Sequence, residues 1–381
     1  MIKRRITVLG ATGSIGLSAL DVIRHHRDQF EVIALVAHKN AVKLAELARE
    51  FKPHYVALAD NSSAFALADA LHGSGIACGA GDSAVLEAVV RDTDIVVAGI
   101  AGTAGLIPTY ASLKSGRTIA LANKECLVCA GEVFMRTAKE RGVLVLPVDS
   151  EHNALFQALA GHQLDDVECM TLTASGGPFR TWSQEAIAKV TPQQALQHPT
   201  WSMGAKITID SATMMNKGLE LIEAHHLFGI EHTRLDVVVH PESIIHGLVH
   251  FKDGAVTAGM AAPDMRVALA HTLGFPQRLH VQSKRFNLLT LGKLTFEAPD
   301  EALFPCLRLA KQVLAQGGVW PTVLNSANEM AVARFLRSEI TFGEIADVVV
   351  KALECYKGEV HAPQSIAQAL DIHVNVQKIL R

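Results

Sequence analysis

The fold of the first part of the chain is decided by Ile6-Thr7-Val8-Leu9-Gly10-Ala11-Thr12-Gly13-Ser14-Ile15-Gly16. A short β-branched run leads into three glycines, and a helical pattern follows over residues 15–27. Glycines in such a turn let the backbone approach a pyrophosphate, to which the helix N-terminus offers N–H donors and a positive dipole end. The alternative, an ordinary strand-to-helix turn, needs one glycine rather than three. The stretch therefore predicts a dinucleotide-binding unit.

Length and composition exclude several classes of protein. The 381 residues suggest two or three domains. A formal net charge of −3 argues against a general nucleic-acid binder, and 49% hydrophobic residues indicate a core-rich globular chain. Six scattered cysteines favour a reducing compartment, and no apolar run approaches the ~20 residues of a membrane span. We expect a cytoplasmic protein that binds neither nucleic acid nor membranes.

Short apolar runs alternate with helical patterns over the first third of the chain, which is typical of an α/β fold with a parallel sheet covered on both faces. The strand-like runs are residues 6–9, 32–37, 54–58, 95–98, 119–122 and 144–148, and residues 42–51 and 64–71 have helical spacing. We predict a Rossmann-like nucleotide-binding domain over residues 1–147.

The pattern changes after about Pro147, where strands are predicted at residues 167–174, 207–209, 236–239, 247–251 and 256–260, with Lys252-Asp253-Gly254 as a hairpin turn. We predict an α+β catalytic and dimerisation domain with a mixed or antiparallel sheet over residues 148–280. Residues 281–304 are polar and irregular and are interpreted as a linker. A helical domain is predicted over residues 305–381.

The end of the second strand indicates which dinucleotide is bound. Enzymes that use NAD usually carry Asp or Glu there, but this chain reads Val36-Ala37-His38-Lys39-Asn40. A cation at Lys39 would accept a 2′-phosphate, so the sequence favours NADP. The alternative is that Lys39 is an ordinary solvated loop residue.

Two carboxylates follow the strand at residues 144–148. Asp149 and Glu151 are two residues apart, so in extended backbone both would point to one side. Like carboxylates repel unless a cation lies between them, and an oxygen-only set suits Mg²⁺ or Mn²⁺. The alternative is an N-cap cluster for a helix that starts near Asn153.

A second polar cluster lies in the segment Asp210-Ser211-Ala212-Thr213-Met214-Met215-Asn216-Lys217-Gly218-Leu219-Glu220, which is predicted to begin a helix. Asn216, Lys217 and Glu220 would share one face. The alternative is a surface salt bridge between Lys217 and Glu220, although Met214 and Met215 are too apolar for a solvated face.

Two further polar segments are candidates for ligand binding. Thr171, Thr173 and Ser175 precede Gly176-Gly177-Pro178, a turn whose N–H groups could bind an anion, unless it is a plain strand ending in a turn. Lys124 and Glu125 follow a strand at the carboxyl edge of the sheet, where open α/β folds bind ligands. Cys126 and Cys129 lack a second cysteine pair, so we interpret them as buried helix thiols rather than zinc ligands.

Taken together, these motifs resemble the 1-deoxy-D-xylulose 5-phosphate reductoisomerase family over nearly the whole chain. The motifs are Gly-Ala-Thr-Gly-Ser-Ile-Gly at 10–16, Ala-Asn-Lys-Glu at 122–125, Val-Asp-Ser-Glu-His-Asn-Ala at 148–154, Ser-Gly-Gly-Pro-Phe at 175–179, His-Pro-Thr-Trp-Ser-Met-Gly at 198–204, the segment 210–220, Val-Val-His-Pro at 238–241, Pro-Asp-Met-Arg at 263–266 and Asn-Ser-Ala-Asn-Glu at 325–329. His38 departs from the glycine usual in the family's cofactor loop, Cys126 from a serine, and Val267-Ala268 from Pro-Ile.

The resemblance implies a V-shaped homodimer that rearranges 1-deoxy-D-xylulose 5-phosphate to a branched aldehyde and reduces it with NADPH. The product is 2-C-methyl-D-erythritol 4-phosphate, of the non-mevalonate isoprenoid pathway. The implied metal is Mg²⁺ or Mn²⁺, with Co²⁺ as a further candidate, and its implied ligands are Asp149, Glu151 and Glu220. The implied catalytic residues are Lys124 and Glu151. Substrate-binding positions carry over onto Lys124, Ser150, Glu151, Ser175, His198, Ser211, Asn216, Lys217 and Glu220. Cofactor-binding positions carry over onto Thr12, Gly13, Ser14, Ile15, Lys39, Asn40, Asn123, Glu125 and Gly204.

The loop at residues 197–204 is predicted to be a mobile lid. Pro199 and Gly204 oppose regular structure, yet the loop carries Trp201, which a passive surface loop would not need. In the functional interpretation Trp201 covers the substrate, and in the alternative it only fixes the loop to its domain. Two rival functions are open: another NADP oxidoreductase, such as a semialdehyde or homoserine dehydrogenase, and a non-catalytic NADP-binding regulator.

Overall fold

The computed structural model describes residues 2–381, which form two compact units. The first comprises the described residues up to Cys126 together with Arg136–Asp149 and Asp264–Ser283, and the second comprises Leu127–Met135, Ser150–Pro263 and Lys284–Arg381. Residues 264–280, which the sequence assigned to the α+β domain, thus lie with the nucleotide-binding sheet. The division into three domains and a linker stays a prediction. Within residues 2–381, no helix combines the length and the apolar character that crossing a membrane requires.

The first unit is built on a seven-stranded parallel sheet in the order β4-β3-β2-β1-β5-β6-β7. Its strands are β1 (Arg4–Leu9), β2 (Phe30–Ala37), β3 (Tyr55–Leu58), β4 (Ala77–Ala80), β5 (Ile95–Ala98), β6 (Thr118–Leu121) and β7 (Val145–Pro147). Its helices are α1 (Ser14–His25), α2 (Ala41–Phe51), α3 (Ala64–Ala70), α4 (Asp82–Val90), α5 (Leu106–Lys114) and α12 (Met265–Gly274), and α6 (Glu125–Arg141) runs through both units.

The predicted α/β architecture is confirmed. The central strands are continuous apolar runs because both faces of the sheet are covered by helices, and β1, β2, β3 and β5 are almost wholly buried. The strand order reverses at β1, which pairs with β2 on one side and β5 on the other. In open α/β sheets such a reversal creates the crevice where ligands bind.

The second unit contains a four-stranded mixed sheet in the order β11-β10-β8-β9. Its strands are β8 (Val167–Ala174), β9 (Leu235–Val239), β10 (Ile245–Phe251) and β11 (Val256–Met260). The β10–β11 pair is antiparallel, and its turn contains Gly254 at φ +88°. The predicted hairpin is therefore confirmed. The helices are α7 (Ser150–Ala158), α8 (Gln184–Ile187), α9 (Pro192–Ala195), α10 (Ala205–Ala212), α11 (Met215–Phe228), α13 (Leu288–Leu291), α14 (Pro305–Gln316), α15 (Trp320–Leu336), α16 (Glu344–Cys355) and α17 (Ile366–Ile379).

Two predicted elements of this unit are wrong. Residues 207–209, predicted as a strand, lie inside helix α10, where Ile209 is buried and Thr208 donates a hydrogen bond to the Gly204 carbonyl. Packing of this helix overrides the strand preference of three β-branched residues. The sequence before the loop at residues 197–204 has a helical pattern over residues 183–196, which predicts one helix. The structure has two single turns there, because Thr191 begins a new helix with a capping box formed with Gln194.

Helix packing in the second unit depends on two close approaches. A Cβ at Gly218 would lie 2.3 Å from the Ala310 Cβ, so only glycine lets α11 and α14 come this near. A Cβ at Gly131 would lie 2.3 Å from ring atoms of His226. That imidazole is partly buried, and its loss of contact with water, reinforced by the neighbouring His225, lowers the pKa of His226 from its ordinary 6.5 to about 4.

The partly buried His226 predicts that this unit loses stability in acid. Since its pKa is lower in the folded than in the unfolded protein, protonation favours unfolding. The protonation of His226 does not lower the free energy of unfolding above pH 6.5. It lowers that free energy by up to about 3 kcal/mol as the pH drops from 6.5 to about 4. Urea unfolding from pH 7 to 4 should therefore show a shallower loss in His226→Gln than in the wild type. His361→Gln, at an exposed position, serves as the control; equal slopes for all three proteins would contradict the assignment.

Candidate functional site

The glycine turn shapes the carboxyl end of β1. Gly10 has φ +78°, and a Cβ there would lie 2.5 Å from the Gly99 carbonyl oxygen. A Cβ at Gly16 would lie 2.3 Å from the Gly10 carbonyl oxygen, whereas Gly13 meets its nearest neighbour at 3.3 Å. Two of the three glycines are thus required by close packing, and Gly13 is the N-cap of α1. The predicted cofactor residues on this turn are accessible: Thr12, Gly13, Ser14 and Ile15.

The loop after β2 presents exposed donors beside that turn. β1 and β2 are parallel neighbours, and the Ala11 N–H donates to the Val36 carbonyl at 2.7 Å. Lys39 and Asn40 are exposed. The Asn40 Oδ1 accepts from the Lys43 N–H at 3.0 Å and caps α2, so its amide nitrogen remains to donate. An ammonium and an amide N–H together fit a phosphate.

The next polar pair lies at the carboxyl edge of the same sheet. β6 and β7 are parallel neighbours, and the residues that follow them place the Lys124 Nζ 3.0 Å from an Asp149 oxygen. Both side chains are nearly buried, at 6% and 11% exposed. Asn123 donates to the Gly102 carbonyl at 2.9 Å and accepts from the Cys126 N–H at 2.9 Å. Glu125 is buried in the first turn of α6.

Asp149 and Glu151 do not lie on extended backbone, so that prediction is wrong. β7 ends at Pro147 and α7 begins at Ser150, three residues before the predicted start near Asn153. Glu151 is therefore in the first turn of a helix. The Ser150 hydroxyl donates to a Glu151 oxygen at 2.6 Å.

Helix α11 carries the cluster predicted at Asn216, Lys217 and Glu220. The Lys217 ammonium contacts the Glu220 carboxylate and lies 3.4 Å from the Glu151 Oε1, while the Asn216 amide donates to Glu220. Lys217 is 4% and Glu220 1% exposed, so the alternative of a surface salt bridge is wrong. One buried cation thus neutralises two carboxylates that would otherwise repel each other.

The start of this helix differs from the prediction. Asp210 lies within α10, which ends at Ala212, and α11 begins at Met215 after Met214 in the left-handed region at φ +63°. The Asp210 carboxylate is buried, 2.8 Å from the Lys206 Nζ and 2.8 Å from the Asn328 amide nitrogen, which donates to it.

Ser175 and His198 form the second polar cluster of this unit. The His198 Nδ1 accepts from the backbone N–H groups of Thr200 at 3.1 Å and Trp201 at 2.9 Å. Burial lowers the pKa of His198, which favours the neutral ring, so its hydrogen is on Nε2, 3.1 Å from the Ser175 Oγ. That oxygen also accepts from the Gly177 N–H at 3.2 Å. The Ser175 hydroxyl hydrogen therefore remains to be donated to a ligand.

The other hydroxyls singled out in this strand serve the sheet. Thr173 donates to the Ile245 carbonyl at 2.7 Å, and the Thr171 Oγ1 lies 3.1 Å from the His250 Nε2. Ser211 lies near the glycine turn, because a Cβ at Gly177 would lie 2.8 Å from the Ser211 carbonyl oxygen.

The loop over residues 197–204 has no regular structure, as predicted, and Gly204 is the exposed N-cap of α10. The Trp201 ring lies 6.1 Å from the His246 ring. The role of Trp201 in a lid stays a prediction, as does the alternative in which it fixes the loop to its domain.

A buried pair that was not predicted from the sequence, His152 and Glu223, lies next to Glu220. The His152 Nε2 lies 2.9 Å from the Glu220 carbonyl oxygen, to which it donates, and its Nδ1 lies 3.5 Å from a Glu223 oxygen. Both side chains are fully buried. A usable signal was present, since Glu223 is a lone carboxylate between Ile222 and Ala224, one helical turn after Glu220.

Comparisons with known proteins agree along the chain. A family model described as 1-deoxy-D-xylulose 5-phosphate reductoisomerase matches residues 6–131, and models of that family's C-terminal domains match residues 145–228 and 260–379. The 1-deoxy-D-xylulose 5-phosphate reductoisomerase of Afipia carboxidovorans is 53% identical over 378 residues, covering 99% of this chain and 93% of the relative. The relative from Bradyrhizobium sp. strain BTAi1 is 54% identical over 351 residues, covering 92% and 86%.

Solved structures agree with the sequence relatives. The Zymomonas mobilis 1-deoxy-D-xylulose 5-phosphate reductoisomerase in complex with NADPH superposes with a TM-score of 0.93 at 44% identity, covering 100% of this chain and 98% of its own. A DOX-P reductoisomerase in complex with NADPH, fosmidomycin and magnesium gives 0.95 at 38% identity, covering 99% and 97%. The chain belongs to the 1-deoxy-D-xylulose 5-phosphate reductoisomerase family.

Proposed function

We propose that this chain converts 1-deoxy-D-xylulose 5-phosphate to 2-C-methyl-D-erythritol 4-phosphate, by a metal-dependent isomerisation followed by an NADPH-dependent reduction, in the non-mevalonate isoprenoid pathway. The observation that carries the proposal is the buried Lys217 ammonium beside the carboxylates of Glu151 and Glu220, in a member of this family. Neither a plain dehydrogenase nor a regulator requires such a cluster.

The proposed metal ligands are Asp149, Glu151 and Glu220. Their donor atoms are all carboxylate oxygens, which suits Mg²⁺ or Mn²⁺, and Co²⁺ is a further candidate. Glu151 and Glu220 fit this role because both already flank one cationic group. When bound, a divalent cation supplies Lewis-acid stabilisation of negative charge on substrate oxygens. A relative's structure contains magnesium with fosmidomycin and NADPH.

The proposed NADPH site uses the N-terminal end of α1 and the loop after β2. The free N–H groups at the start of α1 fit a pyrophosphate, and Lys39 with Asn40 fits a 2′-phosphate. Bound NADPH would supply hydride to an aldehyde. The remaining proposed contacts are Thr12, Gly13, Ser14, Ile15, Asn123, Glu125 and Gly204.

The second unit offers donors for the phosphate of the substrate. Ser175 can donate its hydroxyl hydrogen, while Lys217 and Asn216 add charge and amide N–H groups. We assign Ser211, His198 and Ser150 to substrate binding as well. Binding energy from the phosphate, which does not react, can orient a small flexible substrate for the chemical step.

Lys124 is the proposed catalytic cation of the first unit. Its ammonium is nearly buried and held by Asp149, so its charge is weakly screened and fixed in direction. Glu151, held by the Ser150 hydroxyl, is the proposed catalytic carboxylate. The loop over residues 197–204 would exclude water by closing over the substrate.

The proposed assembly is a homodimer in the cytoplasm. β11 forms one edge of the four-stranded sheet, and edge strands can pair with a second chain. The six cysteines are free thiols, as a reducing compartment favours. The three-domain division of the chain also belongs to this proposal.

The activity is tested by following NADPH oxidation with 1-deoxy-D-xylulose 5-phosphate. We expect turnover in Mg²⁺ or Mn²⁺ and its loss on chelation, because the carboxylates cannot themselves act as a Lewis acid. Glu151→Gln should lose turnover while its circular dichroism spectrum is kept. Glu301→Gln, which removes a partly exposed carboxylate paired with Lys311 at 2.6 Å, is the matched control and should stay active. Chelator-resistant turnover would favour another NADP oxidoreductase, and no turnover would favour a regulator.

Cofactor preference is tested at Lys39. A hydrogen bond to a charged group contributes about 1.5–3 kcal/mol, or roughly 10- to 100-fold. Lys39→Ala should therefore raise the KM for NADPH by up to roughly 10- to 100-fold. The KM for NADH should stay unchanged. Lys43→Ala, which removes a neighbouring cation paired with Glu46, controls for general charge. Equal efficiency of wild-type protein with both cofactors would contradict the assignment.

A further inference from the structure

Part of the predicted linker is a built element of the second unit. The Glu297 N–H donates to the Val239 carbonyl at 2.9 Å, and the Val239 N–H donates to the Glu297 carbonyl at 2.9 Å. This isolated antiparallel bridge attaches Glu297 to the β9 edge of the four-stranded sheet. We call residues 293–297 the strap.

The strap binds the buried side chain of His240. The His240 Nε2 accepts from the Ile244 N–H at 3.2 Å, so its hydrogen is on Nδ1, which donates to the Thr295 carbonyl at 2.8 Å. The Phe296 ring stacks on the same imidazole, with centroids 4.9 Å apart and planes 18° apart. The Thr295 N–H donates to a Glu242 oxygen at 3.2 Å. Contacts on consecutive residues hold the strap in one register.

The last residue of the strap reaches the glycine turn. The Arg180 Nη1 lies 2.7 Å from both carboxylate oxygens of Glu297. The alkyl chain of Arg180 packs against Gly176, since a Cβ there would lie 2.5 Å from the Arg180 Cδ and 3.0 Å from a Val239 methyl. Gly176 is therefore enclosed between the Arg180 side chain and Val239 of β9, and Glu297 of the strap binds both.

The glycine turn needs such support. Gly176 and Gly177 both have left-handed φ values, +81° and +70°, and two adjacent glycines lose more backbone entropy on ordering than other residues. Their conformation fixes the Gly177 N–H on the Ser175 Oγ, which the His198 ring also contacts. Any loosening of the turn is thus transmitted to the hydroxyl assigned to the substrate phosphate.

We infer that the strap, acting through the Glu297–Arg180 ion pair, is a positioning device for the phosphate-binding turn Ser175–Pro178. The inference deepens the proposed function and rests on it only for the identity of the phosphate. Glu297 and Arg180 are positioning residues. They keep the turn ordered and have no role at the reacting atoms.

This role predicts an effect on binding rather than on chemistry. Partly exposed ion pairs contribute up to about 1 kcal/mol, so Glu297→Gln should raise the KM for substrate about two- to fivefold with kcat unchanged. Arg180→Met keeps an alkyl chain over Gly176 but removes the charge. Arg180→Met should raise the KM for substrate as much as Glu297→Gln does. The double variant should have the same KM as either single variant, because the two residues act as one unit.

The test combines kinetics with hydrogen exchange on the full chain. Amides of the peptide spanning residues 175–182 should exchange faster in Glu297→Gln than in the wild type. Glu301→Gln is the matched control, since its ion pair with Lys311 has similar exposure and also lies in the second unit. A raised KM and faster exchange in Glu297→Gln alone would support the inference.

Unchanged exchange in Glu297→Gln, additive effects in the double variant or a fall in kcat without a change in KM would each overturn it. If wild-type protein shows no turnover of 1-deoxy-D-xylulose 5-phosphate, the proposed function fails. The exchange comparison, repeated with and without inorganic phosphate, then still decides whether the strap orders an anion-binding turn.

Discussion

The second unit depends on a charge that is costly to bury. Taking the Lys217 ammonium out of water is unfavourable unless its partners are held close, and Glu220 and Glu151 provide them from two different helices. α7 and α11 must therefore be placed with little freedom. Gly259 serves this placement, because a Cβ there would lie 2.5 Å from the Ala154 Cβ, so α7 lies directly on β11. His152 ties α7 to the α11 backbone at Glu220.

In the first unit, the sheet alone determines where the polar side chains of the site lie. Parallel strands end at a common edge, so residues distant in sequence meet there without a helix to direct them. Lys124 and Asp149 meet in this way after β6 and β7. The same rule brings the glycine turn after β1 beside Lys39 after β2. The carboxyl edge of an otherwise apolar sheet thus carries both exposed polar donors and a fixed cation.

Local signals predicted the architecture better than the site geometry. Glycine spacing and continuous apolar runs identified the nucleotide-binding sheet, and helical spacing placed Lys217 and Glu220 on one face. The prediction that Asp149 and Glu151 lie on extended backbone was wrong, because helix α7 begins between them. The Arg180–Glu297 pair spans 117 residues and joins a loop to a predicted linker, so no local periodicity could indicate it. Long-range pairing was missed wherever the partner lay outside a regular element.

The central claim is that the carboxylates around Lys217 are a preformed cation site. It is tested most directly by anomalous diffraction at the manganese edge from crystals soaked in MnCl₂. We expect one strong peak per chain, bounded by the carboxylate oxygens of Glu151 and Glu220. A peak elsewhere with Glu151 and Glu220 still paired to Lys217, or no peak at saturating Mn²⁺, would contradict it.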